Sequence, residues 1–367
     1  MTEVVARDKS FDIVKGIAIL AVVTHHVLSN TTQKIGVPFT FSWWGMEIAN
    51  RCVRFAVPTF LMLSALLICR SLTKENPVDL GNYYSKRLRG TVAPFLIWTF
   101  LYLLGVTICE KIFGTNLTGL GFSDLQENPK TLLKVLFLGK AAFHLYFFAV
   151  LIQAQLILPY LHQLAKGISK FAWWILAVVG VQVAVYLIYY IYRDILQPLF
   201  PTTGSALPWY LIPVGCGVWV GTHWKDWDGT WRKFKWLILS LTLISFSTYL
   251  TLESTILLKK YWVNTIVLQS SIAIWATGIG LILLEWCRAK SSNCMFSSAL
   301  NDIGQKSLGI FLIHPAAIFI IGSNHVWPIF DSLPLTQLWV WVVVFVFAYG
   351  TTTLIQKMRL SGALFGR

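Results

Sequence analysis

DIVKGIAILAVVTHH, Asp12 to His26, is an apolar stretch that reads as a helix with Asp12, Lys15 and His26 on one side. At ~100° per residue, the eleven steps from Lys15 to His26 end about 20° from eclipsed, and Asp12 falls within about 60° of both. His25 points about 100° away from that stripe. A rise of ~1.5 Å per residue sets Lys15 and His26 about 16 Å apart along the axis, a little over half of a ~30 Å hydrocarbon layer. Ionisable groups in a spanning helix cost roughly 2.5 to 3.5 kcal/mol each, so their alignment points to a polar path through a bundle. The plainer alternative has Lys15 reaching one headgroup layer and His26 sitting at the other.

The rest of the chain agrees with a membrane setting. Of 367 residues, 56% are hydrophobic and 13% charged, where a soluble domain carries about 25% charge. The 17 Trp, 13 Tyr and 24 Phe suit two interfacial belts. A net charge of +14 would suit nucleic acid, but the basic residues lie in loops between apolar stretches, where they set topology. Nucleic acid is therefore excluded as a partner. Six cysteines form no CxxC pair, so packing is expected of them and neither a disulfide framework nor a metal site is. No cleavable signal pattern opens the chain, and the first span is expected to be retained.

Apolar stretches suited to spanning helices occur near 11–28, 52–69, 91–109, 145–163, 172–191, 208–222, 236–252, 264–286, 308–322 and 336–355. The expected fold class is an all-α polytopic bundle of about ten transmembrane helices, a single domain over residues 1–367. An even count puts both termini on one side, and the positive-inside rule makes that side the cytoplasm, with 19 Lys and Arg there against 9 opposite. Lys15 then lies near the cytoplasmic face and His26 towards the outside. The outer segment Glu110 to Phe143 contains TLLKVLFLG, Thr131 to Gly139, which is too short to span and is expected to lie in the interface or re-enter. The loop Asp194 to Leu207 is also expected outside.

Five pieces stand in order along the chain: the first helix, RFAVPTFLMLSALLICRS in the second span, YYSKRLRGTVAPFLIW, HLYFFAVLIQAQLILPY and SLGIFLIHP. Together they resemble the acyltransferase-3 family of integral-membrane acyltransferases, including its branch that modifies surface polysaccharides. The family's first-helix signature is Arg, ten residues, His; Lys15 and His26 hold that spacing, with Lys in place of Arg and without its planar fork. The resemblance makes His26 the catalytic histidine and leaves His25 as an extra one. A cytoplasmic R-x-x-R segment before a proline-containing helix corresponds to Lys86, Arg87 and Arg89 before Pro94, with Gly90 where a second Arg is expected. Those charges suit the phosphates of coenzyme A, although the positive-inside rule alone would also put them there. His144, Tyr146 and His314 match later family motifs and are candidates for orienting or acceptor-side roles.

Glu47, Arg51 and Arg54, at i, i+4 and i+7, are expected on one face at the depth of His26, as an ion pair or as acceptor-side groups. The resemblance implies a multi-pass protein of the bacterial plasma membrane, in contact with its lipids. It further implies transfer of an acyl group, acetyl foremost, from cytoplasmic acyl-CoA as co-substrate to a hydroxyl of an extracytoplasmic glycan or similar acceptor, with His26 as base or transient acyl carrier. A transporter or flippase of glycans is the alternative, since Gln153, Gln155, Asn264, Gln269 and buried histidines would serve it too.

Overall fold

The computed structural model describes residues 8–36, 38–75, 78–113, 120–196, 204, 206–258, 265–290, 295–323 and 326–366. Every element among them is helical: α1 Lys9–Ile35, α2 Phe41–Cys52, α3 Ala56–Leu72, α4 Leu80–Arg87, α5 Ala93–Phe113, α6 Phe122–Glu127, α7 Lys130–Leu138, α8 Tyr146–Gly167, α9 Phe171–Ile191, α10 Arg193–Leu196, α11 Leu211–Thr222, α12 Trp227–Leu257, α13 Thr265–Lys290, α14 Met295–Gln305, α15 Ser307–Ile321, α16 Trp327–Asp331, α17 Thr336–Lys357 and α18 Ser361–Phe365. A π-helical turn, Leu88–Val92, joins α4 to α5, and short 3₁₀ turns precede α11 and α12. Pro58 falls in the first turn of α3, where no intrahelical N–H is lost, and Pro94 follows directly on the π-helical turn Leu88–Val92.

Each of the ten apolar stretches forms helix, and among the described residues eight helices, or nine if the bent pair α14 and α15 counts as one span, are long and apolar enough to cross a membrane, against the ten or so expected. The stretch 208–222 yields the twelve-residue α11, about 18 Å long and buried from Ile212 to Thr222. It is an internal helix. The ninth stretch, α15, meets α14 at a bend of 76° beside Lys306.

Position in the bundle follows from what each helix can bury. In α1 61% of the apolar window is enclosed, against 11% in the span that contains α12 and 17% in α9, so α1 is central and α9 and α12 face lipid. Small residues let backbones close on one another. A Cβ at Gly304 would collide with the carbonyl oxygen of Asp12, and one at Gly217 or Gly221 with the carbonyls of Met62 or Leu66, which clamps α14 to α1 and α11 to α3. The Phe11 ring lies 5.4 Å from that of Trp224, in the 3₁₀ turn before α12, while Phe365 lies against Gly309, five residues beyond Gly304. The start of α1 and α18 thus lie towards one end of the bundle, and His26 lies towards the other.

The segment Glu110 to Phe143 is described except for 114–119, which lie outside the described residues, as do 197–203 and 205 of the loop Asp194 to Leu207. Its α7 stops at Gly139, whose φ of 63° is left-handed and whose Cβ would strike the Leu145 carbonyl. That tight turn folds residues 140–145 back into the bundle, delivering Phe143 and His144.

Candidate active site at the distal end of the first helix

The stripe on α1 begins with an ion pair, Lys15 Nζ to Asp12 Oδ1 at 3.3 Å, with the Asp12 side chain 2% exposed. Farther along, the half-buried His26 ring lies 4.6 Å from Phe143 and 5.3 Å from His314, nearly parallel to the latter at 26°. His314, on α15, donates from Nδ1 to the Ile310 carbonyl at 3.1 Å, a bond within its own helix that fixes its hydrogen on that nitrogen. His144 follows, 5.8 Å from His314 and 4.9 Å from Tyr102. Both His144 and His314 are fully buried, so they back the His26 ring from within the bundle.

The other side of His26 borders a cavity of about 340 Å³, shared with His25, Arg54, Glu253, Tyr146 and Tyr210 among others. His25 is therefore not turned out of the site: its ring centroid is 5.0 Å from that of His26, because both side chains at a helix corner can border one broad cavity. Its Nδ1 is bonded to the Asn50 amide oxygen, and Asn50 Nδ2 donates to Ser29 Oγ at 3.0 Å. Tyr146 and Tyr210 both border this cavity.

Glu47 and Arg51 pair within α2, as their spacing predicts, but the shared helical face ends there. Arg54 falls in the turn between α2 and α3. Arg51 and Arg54 instead converge on Glu253 of α12, each at 3.2 Å. Arg54 and Glu253 border the cavity, whereas Glu47 does not. The helix break at residues 53–55 explains the difference, since a continuous helix would have kept the three in line.

The basic segment at the opposite end is divided. Arg87 packs over the Tyr83 ring at 5.4 Å and borders a second cavity of about 320 Å³ with Gln155 and Leu156. Lys86 and Arg89 are exposed. Of the transport-compatible polar residues, Gln153 accepts from the Leu207 N–H at 2.8 Å, Gln155 is buried, Gln269 borders the first cavity, and Asn264 lies outside the described residues.

Asn50, Phe143, Tyr210 and Glu253 were not marked by sequence reasoning. Glu253 alone had a readable signal, as the single charged residue between Lys235 and Lys259. Among the described residues, no group of three or more His, Cys, Asp or Glu is placed to hold a metal ion. Comparison with known families matches residues 8–356 to acyltransferase family 3, described as an acyltransferase domain. No curated protein and no solved structure matches the chain.

Proposed function

The chain belongs to acyltransferase family 3, and from that premise we propose that it moves an acyl group, acetyl foremost, from cytoplasmic acyl-CoA to a hydroxyl of an extracytoplasmic glycan or similar acceptor. The termini and the Lys86 to Arg89 segment face the cytoplasm, and the cavity at His26 opens to the acceptor side, in the plasma membrane of a bacterium. The observation that carries this reading is a single helix with His26 at the wall of a cavity also lined by His25, Arg54 and Glu253, and Lys15 about 16 Å back along the same stripe. That stripe gives the pantetheine arm a course from donor face to acceptor site.

Acyl transfer needs a base at the attacking oxygen, a donor for the oxyanion and exclusion of water. In direct transfer, His26 takes the hydroxyl hydrogen as the oxygen attacks the thioester carbon; the C–S bond then breaks, and the leaving sulfur recovers that proton as free thiol. Acyl rest on His26 is the two-step form of the same chemistry. Tyr146 and Tyr210, which border the cavity, are the hydroxyl donors for the oxyanion. Lys15, Arg87 and the exposed Lys86 and Arg89 meet the donor's phosphates. His144 and His314 position His26.

The test is purified protein given acetyl-CoA and a glycan acceptor, with thiol release and acceptor mass as readouts. Equal gain of free thiol and acylated acceptor is expected. Glycan movement across vesicles with no thiol release would return the protein to the transporter class.

A further inference from the structure

We infer that His25 is a second substrate-contacting residue, which accepts a hydrogen bond from a hydroxyl neighbouring the one that is acylated, so that the site selects acceptors with two adjacent hydroxyls. The inference rests on the acyl-transfer reading above and names the acceptor chemistry that the cavity takes.

Its basis is the direction of the bonds around Asn50, which is 5% exposed. The Asn50 nitrogen donates to Ser29, so the oxygen faces His25, and an oxygen can only accept. His25 Nδ1 must then carry the ring hydrogen, which leaves Nε2 a bare acceptor. The hydrogen-bond partners of the ring are both acceptors on Asn50, its amide oxygen and its backbone, and the ring borders the same cavity as His26. A nitrogen that only accepts captures a hydroxyl by its hydrogen; a methylene or an ether oxygen offers it nothing. His26, acting as base, needs the hydrogen of a hydroxyl as well. The rings are 5.0 Å apart between centroids, on adjacent residues of one rigid helix. Two imidazole rings that close, each offering an acceptor nitrogen to one cavity, suit hydroxyls on neighbouring carbons, the arrangement that recurs around a sugar ring.

Three small alcohols separate the possibilities: 1,2-ethanediol, 2-methoxyethanol, which keeps the second oxygen but not its hydrogen, and 1-propanol. With acetyl-CoA as donor, the wild-type protein is expected to acylate ethanediol about tenfold faster per hydroxyl, as kcat/KM, than either of the others. His25→Ala should level the three. Asn50→Asp, which still accepts from Nδ1, should keep the preference, and Asn50→Leu, which cannot, should reduce it. Equal use of ethanediol and 2-methoxyethanol by the wild type overturns the proposal, as does an undiminished preference in His25→Ala or Asn50→Leu. Thiol release with none of the alcohols acylated also overturns it and leaves the acyl-CoA reading standing. No thiol release under any condition brings down that reading and this one together.

Discussion

The two ends of α1 differ in how their polar groups are supported. At the distal end His25 and His26 meet side chains from α2, the 53–55 turn, the turn before α8, the segment before α11, α12 and α15. Near the termini Lys15 pairs with Asp12 three residues away, and the basic residues of the α4 segment stand largely at the surface. The lesson is that chemistry at a precise atom needs support from many directions, whereas attraction of phosphates needs mainly charge at the right face. Substitutions at the distal end should therefore change turnover or folding, and those near the termini should change donor affinity.

The largest expected effect is His26→Ala, with acyl transfer falling by about 10² to 10⁴ while donor KM stays within a few-fold, since a base acts in the transition state. Steady-state thiol release decides it; an active variant breaks the comparison at its centre. Glu253→Ala comes next. It strips Arg51, whose side chain is 5% exposed, and Arg54, 31% exposed, of their shared partner. Breaking a buried pair costs about 3 to 5 kcal/mol, and the lower end applies here because Arg54 is partly solvated. A clear drop in melting temperature in detergent is expected, with Glu253→Gln milder.

At the other end, Arg87→Ala should raise the donor KM about tenfold, with kcat nearly constant. Lys86→Ala and Arg89→Ala should each change it less, because an exposed charge is screened and only loosely placed. If all three act equally, the division between a pocketed and an exposed cation is wrong. The smallest effect is expected of Lys15→Arg, which keeps both the charge and the Asp12 pair; Lys15→Ala should impair donor use visibly more. Titrating acyl-CoA against these two variants sharpens how far the donor path extends along α1.

The amino-acid sequence by itself determined the membrane setting, the ten helical stretches, the stripe from Asp12 to His26 and the family. These are local properties: hydropathy acts over one span, a helix repeats every 3.6 residues, and a motif is carried in its own letters. Only the tertiary structure decided that α11 is an internal helix, that His25 shares the cavity, and that Arg51 and Arg54 close on Glu253, about 200 positions away in sequence. Helical spacing could order the residues of α1 about its axis, yet it could not say which neighbour each would face. That depends on side chains brought in by other segments: Asn50 from α2, Phe143 from a turn set by the left-handed Gly139, and His314 from beyond a 76° bend. Which helix lies against which is fixed by the closest approach of small residues, such as Gly304 on Asp12, and a contact of that kind exists only once both backbones are in place.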